Sequence, residues 1–560
     1  MKNNKNLNII LVLAIVLIVN FLGSFYYKRF DLTEEKRYSL SEPTKEFLNN
    51  LDDIVSVQVY LTGSGLPSGL KELEHSTDDI LNEFKAYAGS NFDYDFIDIK
   101  DYEDEARLEV ESYLKSQGLN PIELNTVGDD ESQKSKIFPG VLMSYKGRTI
   151  SSILLESQVG KNQFEVINNS IALLEYKLAN SIQKLQRRKQ PFVAFSQGNG
   201  ELDQLQLGSV LDALQQNFFK VEGIDLETDY RINPAIDILV LAKPTEAFTE
   251  KDKFKIDQFV MQGGKVLWAI DGMNADLDSL QGQEFFMANE KELNLTDILF
   301  KYGIRVNDDL IQDLQNTPIS LITGNVNGQP QMKNFPWLFN PILFGSKQHA
   351  IVKNIEPVKS SFTSTLDTIK NKGIKKTPLL TTSPYSKALL NPVRVFLGLI
   401  KDQPNPENFK QANLPAAYLL EGKFTSVFKG RLTEKYLETV NSEKDLKYIE
   451  TSPETKMIII SDGDILSNDV EKGKPLPLGF DRNTGSNFGN KNFIINCLEY
   501  LVDDNNILET RNKEIKLRQL DAVKVKEEKV FWQQINLILP SLLLIIFGVI
   551  YFYIRKKRFA

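Results

Sequence analysis

Two long uncharged stretches, one near each end of the chain, restrict what this protein can fold into more than any other feature of its sequence. The first covers 22 residues, 6–27, and the second covers 25 residues, 530–554, followed by four basic residues at 555–558. As helices that rise about 1.5 Å per residue, both can cross a bilayer core of about 30 Å. The sequence therefore predicts a two-pass membrane protein with a large body between its spans.

The first stretch could instead be a cleaved signal peptide. Phe21, Leu22 and Phe25 follow its apolar run at positions where cleavage requires small residues, so the sequence favours a retained helix. Two spans place both termini on one side of the membrane, and the basic run at 555–558 predicts that this side is the cytoplasm. Basic residues beside the other ends of the spans weaken this argument, but long translocated regions are largely exempt from the charge rule.

The charge balance argues against nucleic acid as a partner. The chain has 66 basic and 74 acidic residues, and its terminal regions 1–30 and 554–560 hold eight of the basic ones and no acidic ones. The body is therefore more acidic than the net charge of −8 suggests, and an acidic surface repels phosphate backbones. Cys497 is the only cysteine, which excludes an internal disulfide, a thiolate zinc site and a cysteine-ligated iron–sulfur cluster.

We assign the first span to residues 1–31. The region that follows it begins with a β-α-β pattern. Val55, Val57 and Val59 alternate with polar residues as in a strand, and apolar residues recur at helical spacing from Leu70 onward. A second strand is predicted near Phe96, followed later by a hairpin at 140–155 and a helix at 166–185. We therefore predict a membrane-proximal α/β domain at residues 32–189.

A second α/β pattern occupies residues 190–510. Four short apolar strands, at 192–195, 236–242, 265–270 and 457–461, alternate with helical segments, which is typical of a parallel sheet covered on both faces. The part at about 281–414 is less regular and rich in Pro, Asn and Ser, so we predict a long insertion there. A juxtamembrane linker at 511–529 and the second span with its basic tail, 530–560, complete the chain. The predicted fold class is α/β, with two extramembrane α/β domains between terminal transmembrane helices.

The sequence lacks the motifs of the common catalytic classes. The phosphate loop Gly-x-x-x-x-Gly-Lys-Ser/Thr does not occur, so this chain is not expected to be an ATPase of that class. His75 and His349 are the only histidines, and neither has nearby candidates for the orienting partners that a catalytic or metal role requires. We therefore predict no catalytic residue, no metal site and no cofactor.

One loop is the best candidate for ligand binding. Gln197, Gly198, Asn199, Gly200 and Glu201 follow a predicted strand, and α/β sheets bind ligands at loops in this position. The glycine spacing fits neither the dinucleotide-binding fingerprint nor a nucleophile elbow, so a tight turn is the alternative interpretation.

Two further features favour a structural interpretation. Asp462, Gly463 and Asp464 could hold a calcium ion on a turn, but the stretch offers too few other ligands, so a structural turn is favoured. Cys497 lies on an apolar helix, which predicts an inert thiol packed in the core.

Several segments occur together between the two spans and carry a family resemblance. They are 29–41, 59–61, 66–67, 174–176, 197–201, 262–265 and 492–501, followed by Arg511. In this order they resemble the GldG family of gliding-motility ABC-transporter auxiliary proteins. The resemblance implies an inner-membrane subunit with a periplasmic body. It also implies a separate GldF-type permease and a separate GldA-type ATPase, in bacteria that glide and use type IX secretion.

The resemblance also implies a fold for the central domain. In the related proteins this domain is similar to class I glutamine amidotransferases, with a flavodoxin-like parallel sheet. Amidotransferases carry a catalytic cysteine at a strand-to-helix turn. In this chain, Ser196 and residues 197–200 occupy that turn, which argues against amidotransferase activity.

The sequence therefore predicts a non-catalytic membrane subunit whose periplasmic body binds a substrate or partner. Two alternatives remain open. The first is a membrane-anchored hydrolase or amidotransferase-like enzyme that uses Ser196, Glu201 or the Asp462 loop, and the second is a purely structural envelope scaffold.

Overall fold

The structure is a computed structural model. It describes residues 39–559 except for 64, 128–131, 156–161, 188, 229–230, 327–328, 347–348, 402, 433–446, 504–505 and 513–521. The predicted first span and most of the segment 29–41 lie outside the described residues. Two compact units are present, Met1–Lys513 and Glu514–Ala560.

Helices and strands are numbered in chain order. The described α-helices are α1 (Glu42–Asn49), α2 (Ser68–Ala88), α3 (Asp104–Ser116), α4 (Gln163–Gln186), α5 (Gly208–Gln216), α6 (Glu250–Met261), α7 (Thr296–Tyr302), α8 (Asn490–Leu501) and α9 (Ala522–Phe559).

The strands of the first part are β1 (Val55–Val59), β2 (Phe92–Phe96), β3 (Ile122–Val127), β4 (Ser132–Ile137), β5 (Gly140–Tyr145), β6 (Arg148–Ile153), β7 (Phe192–Gln197), β8 (Lys220–Asp225), β9 (Ile238–Ala242), β10 (Lys265–Ala269), β11 (Met273–Asn274), β12 (Phe285–Glu290), β13 (Ile304–Val306) and β14 (Asp309–Asp313). Those that follow are β15 (Asn316–Val326), β16 (Gln329–Gly345), β17 (Val358–Lys359), β18 (Leu366–Thr368), β19 (Ile374–Thr381), β20 (Ser386–Leu390), β21 (Val393–Phe396), β22 (Pro415–Thr425), β23 (Thr451–Ile460), β24 (Val470–Glu471), β25 (Lys474–Pro475), β26 (Phe480–Asp481) and β27 (Ser486–Asn487).

The predicted β-α-β unit after the first span is present. Strands β1 and β2 pair in parallel, helix α2 connects them, and β5 and β6 extend the sheet in the order β2-β1-β5-β6. The alternation of Val55, Val57 and Val59 with polar residues places these valines in the core, where each is at most 1% exposed. The period-two pattern of the sequence thus specifies which face of the sheet is buried.

Helix α4 joins this sheet to the rest of the chain. Its N-terminus is a capping box, in which the Asn162 side chain accepts from Glu165 N and Glu165 reaches back to the N-cap backbone. The helix is buried along most of its length because it packs against α2, against β6 and against residues 507–512. Near the start of α1, Ser41 donates to Glu175 of α4 from both its backbone N–H and its hydroxyl, each over 2.7 Å.

The central sheet contains a parallel part and an antiparallel part. The parallel strands lie in the order β8-β7-β9-β10-β23, so in chain order they run 2-1-3-4-5, one of the two common orders of doubly wound sheets. Strands β22, β19, β16 and β15 continue the sheet beyond β23 with antiparallel pairing.

Both faces of the parallel sheet are covered, as its near-continuous apolar strands predict. Successive residues of β9 alternate between two cores: Ile238 and Val240 belong to one, and Leu239 and Leu241 belong to the other. Residues of α4, α5 and α8 contribute to the first core, whereas those of α6 and α7 contribute to the second. The first core also contains the β1 valines, so it continues from the four-stranded sheet into the central sheet.

The segment at 281–414 is more regular than its composition suggested. This segment does interrupt the α/β pattern between β10 and β23, but it contains regular strands, including the long β15–β16 hairpin that ends the sheet. The strands β15 and β16 were not predicted because Pro318, Pro336 and Pro341 suggest loops. Prolines are tolerated at sheet edges, where a backbone donor is not required.

Helix α9 forms the second unit by itself. Its segment Glu527–Arg558 is 32 residues long, and it is the one helix among the described residues that is long and apolar enough to cross a membrane. Pro540 lies inside the helix, and the Ser541 hydroxyl donates to Leu537 O over 3.0 Å one turn earlier. The helix covers the predicted second span and ends in its basic run.

Candidate functional site

The predicted binding loop 197–201 connects β7 to α5 at the carboxyl end of the parallel strands. The Glu201 carboxylate accepts from Ser196 Oγ over 2.7 Å and from Asn199 N over 2.7 Å, so it links the end of the loop to its start. Ser196 is only 2% exposed, and its hydroxyl donates to a carboxylate rather than to a histidine. This burial keeps the Ser196 hydroxyl from solvent, so it is poorly placed to attack a substrate.

The loop is also fastened to the loop that follows β9. Asn199 O accepts from both Thr245 N and Glu246 N over 2.9 Å, and Thr245 Oγ1 donates to Gly200 O over 3.0 Å. Gly200 has a φ of +69°, which glycine adopts without strain. These contacts fix the shape of the loop, while its role in ligand binding stays a prediction.

A cluster of charged side chains lies at the same end of the sheet. Lys243 follows β9, Asp271 follows β10, and Asp462 and Asp464 follow β23. Lys243 Nζ lies 2.5 Å from Asp464 Oδ1, Lys291 Nζ lies 3.0 Å from Asp271 Oδ2, and Gly463 N donates to Asp271 Oδ1 over 2.7 Å.

Asp462 ties the insertion to this edge of the sheet. Its Oδ2 accepts from Ser361 N over 2.7 Å and from Thr363 Oγ1 over 2.8 Å, and its Oδ1 accepts from Asp464 N over 2.8 Å. The carboxyl group thus caps the helical turn Gly463–Leu466 while it holds the segment at 361–363. This geometry agrees with the structural turn that the sequence favoured.

Burial dominates the electrostatics of the cluster. It raises the pKa of Asp462 well above its usual range, and the charges of Asp464 and Asp271 act in the same direction. Burial alone would lower the pKa of Lys243, but Asp464 and Asp271 raise it above its ordinary value. Lys243 and Lys291 pair with Asp464 and Asp271, so these ion pairs offset part of the negative charge of the cluster.

The calcium alternative for the Asp462 loop finds no support in the described residues. Within them, no group of three or more His, Cys, Asp or Glu side chains could hold a metal ion. Each oxygen of Asp462 already accepts a hydrogen bond from the protein.

A polar cleft of about 440 Å³ adjoins the cluster, between the insertion and the segment at 464–490. Lys359, Phe362, Asp464, Phe480 and Asp481 are among its lining residues. Lys359 Nζ lies 3.6 Å from Asp481 Oδ1, so charges of both signs are already paired in its wall.

The histidines and the cysteine lie away from this cluster. His75 is exposed on α2, whereas His349 packs edge-on against Tyr500 with its ring centroid 4.9 Å away. Burial lowers the pKa of His349 to about 4, so its ring is neutral at pH 7. Cys497 is fully buried in the core, and burial raises the pKa of its thiol, which agrees with the inert packing role predicted for it.

Lys243, Asp271 and Lys291 were not predicted as members of a site. A usable signal existed for two of them, since Lys243 directly follows an apolar strand and Asp271 follows the next one. Their partners are 20 to 221 residues away in the chain, so only the sheet order brings them together.

Comparison with known proteins identifies the central part of the chain. Residues 190–497, more than half of the chain, match a family model described as "ABC-type uncharacterized transport system". The chain belongs to this family. Membership supports a non-catalytic accessory role in an ABC transport system, and with α9 it supports membrane association. The coarser part of the resemblance to ABC-transporter auxiliary proteins is thereby confirmed, whereas the assignment to GldG is not.

Other matches cover more of the chain but name no function. Residues 34–144 match a second family model, described as a domain of unknown function. An uncharacterized protein of Borreliella burgdorferi (strain ATCC 35210 / DSM 4680 / CIP 102532 / B31) is 22% identical over 574 residues and is covered over its whole length, as is this chain. The solved "mmIFT52 N-terminal domain" is 14% identical, with a TM-score of 0.30 over 56% of this chain and 98% of that one, too low to establish a shared fold.

Proposed function

We propose that this protein is a membrane-anchored, non-catalytic subunit of an ABC transporter related to GldG of gliding motility, whose periplasmic body contacts a substrate or partner. The observation that carries the proposal is the combination of the transport-system family match with the apolar helix α9, which ends in four basic residues. A chain of this family without a phosphate loop requires a separate ATPase to supply energy.

The partners follow from the same combination. A GldF-type permease contacts this chain through its transmembrane helices, and a GldA-type ATPase binds the permease from the cytoplasm. The basic run at 555–558 supports a cytoplasmic C-terminus, because clusters of Lys and Arg resist translocation. The body then meets envelope components and has no access to ATP.

The strand order supports a fold proposal for the central domain. We propose a flavodoxin-like sheet, because the order 2-1-3-4-5 is the one that flavodoxin-like sheets have. In the proposed amidotransferase-like fold, the turn after β7 carries Ser196, which is buried and bonded to Glu201. This contact supports a body without amidotransferase chemistry.

Reporter fusions test the proposed topology. Alkaline phosphatase, which is active only outside the cytoplasm, is inserted at residue 130, between β3 and β4, or fused after Ala560. We expect activity at residue 130 and none after Ala560, and a green fluorescent protein fused after Ala560 should fluoresce. Phosphatase activity only after Ala560 would reverse the orientation and refute the periplasmic role.

A further inference from the structure

A large cleft lies between the four-stranded sheet and the helices that cover the central sheet. It has a volume of about 850 Å³ and is lined by residues of β6, α4 and α8 together with Arg511. We call it the α4–α8 cleft. It is separate from the charged cluster at the carboxyl end of the parallel strands, with which it shares no residue.

The α4–α8 cleft is basic, although the chain as a whole is acidic. Its lining residues include five basic side chains and one acidic side chain, Glu499, whereas the chain carries a net charge of −8. The five are Lys115, Lys177, Lys184, Lys491 and Arg511. A concave surface lined by one sign of charge concentrates ligands of the opposite sign.

The single acidic side chain in the cleft is already neutralised. Glu499 Oε1 lies 2.5 Å from Lys184 Nζ, and Glu499 Oε2 accepts from Tyr176 Oη over 2.6 Å and from Asn180 Nδ2 over 3.1 Å. Glu499 therefore offsets Lys184, and Lys115 lies 3.9 Å from Glu111. Among the described residues, Lys491 and Arg511 are lining residues without an ion-pair partner, so their charges act on the cleft.

Arg511 is a buried cation without an anionic partner among the described residues. It is only 6% exposed, and its contacts are the Asn496 amide oxygen at 2.7 Å, the Lys353 carbonyl at 3.1 Å and the face of the Tyr176 ring, 5.0 Å from its centroid. All three partners are uncharged, and its buried Nε has no hydrogen-bond partner among the described residues. A buried guanidinium without an anion is costly, because it loses water without gaining an opposite charge.

We propose that the α4–α8 cleft binds a small ligand that carries a phosphate or carboxylate group, with Arg511 as its buried anchor and Lys491 at its exposed rim. An oxyanion beside Arg511 would supply the missing negative charge, and guanidinium groups bind planar or tetrahedral oxyanions through charge-assisted hydrogen bonds. This inference does not depend on the proposed partnership with a transporter, since it concerns a ligand site within one chain.

Titration calorimetry on the full chain in detergent tests the proposal with three probes: inorganic phosphate, citrate and dihexanoyl phosphatidylglycerol. Saturable binding of phosphate or citrate would indicate a soluble anion, and binding of the lipid alone would indicate a headgroup. Arg511→Gln should weaken binding by roughly tenfold or more, because it removes a charged hydrogen-bond donor. Lys491→Gln should weaken it by roughly two- to fivefold, as for an exposed charge.

Lys410→Gln is the matched control, because Lys410 is 71% exposed and does not line the cleft. It should bind as the unaltered chain does. If Arg511→Gln does not fold, Lys491→Gln decides, since its exposed side chain lies outside the core. The proposal is overturned if none of the probes binds saturably at millimolar concentration, or if Lys491→Gln and any folded Arg511→Gln bind as tightly as the unaltered chain.

Discussion

At the scale of single residues, the Lys184–Glu499 pair is the most consequential contact between α4 and α8. The two side chains are 7% and 5% exposed, and Tyr176, Asn180 and Lys184 approach Glu499 from successive turns of α4. Burial opposes ionisation of Glu499, but the Lys184 ammonium outweighs it and lowers the pKa of this carboxyl below its ordinary value of 4.5. Removal of one partner leaves a buried charge uncompensated.

We expect Glu499→Gln to lower the free energy of unfolding by about 3 kcal/mol at pH 7. Because the folded pKa of Glu499 lies below the unfolded one, its contribution is complete above about pH 4.5 and is lost as the pH falls further through the folded pKa. The deficit of the variant should therefore shrink below pH 4.5. Urea unfolding of the full chain at several pH values measures it.

An exposed ion pair provides the control for this prediction. Lys429 and Glu450 lie 3.0 Å apart with side chains 49% and 53% exposed, so Glu450→Gln should cost less than about 1 kcal/mol. If Glu499→Gln and Glu450→Gln lower the free energy of unfolding equally, the buried pair stabilises the fold no more than the exposed pair, and the prediction is wrong.

At the scale of elements, the loop 197–201 depends on a close approach to the loop after β9. A Cβ on Gly200 would overlap Thr245 Oγ1, and the positive φ adds backbone strain. Gly485, at a φ of +67°, has no atom within 4 Å of such a Cβ. We expect Gly485→Ala to cost about 1 kcal/mol and Gly200→Ala about 1–3 kcal/mol more, as for overpacking.

Thermal or urea unfolding measures the loss of stability in each alanine variant. Both variants carry the backbone strain, whereas only Gly200→Ala also has the clash with Thr245. If both variants lose the same stability, the contact between the two loops does not constrain the fold. A larger loss for Gly200→Ala would show that the loop has one fixed shape, as its hydrogen bonds to Thr245 and Glu246 imply.

The elements differ in how far the sequence specifies them. Four of the five parallel strands were predicted because each is a short apolar run, which is a local property. Strand β8 was not predicted because most of its residues are polar or exposed. The hairpin β15–β16 was missed because its prolines suggest loops, and its position at the end of the sheet depends on pairing with distant strands.

The residues of the candidate sites are even harder to predict from the sequence. The loop 197–201 could be located from one strand and its glycines. Arg511, however, contacts Asn496, Lys353 and Tyr176, which are 15, 158 and 335 residues away in the chain. Its unpartnered Nε is a property of the folded chain alone, and no local motif indicates it.

At the scale of the whole molecule, the chain combines a folded body with an apolar helix. The body, up to Lys513, has a core that runs from the β1 valines to the central sheet. The second unit is α9, whose apolar side chains are exposed and therefore require lipid or another apolar partner. The match to a family of ABC transport systems agrees with membrane association of this chain.

Copurification from native membranes tests this account most directly. The full chain with an affinity tag is extracted in mild detergent, and its partners are identified by mass spectrometry, with a variant that ends at Lys513 as the control for α9. We predict that an ABC permease and its ATPase copurify in fixed proportion with the full chain and are depleted with the truncated variant. A full chain that isolates alone in every detergent, while the permease and ATPase copurify with each other, would contradict it.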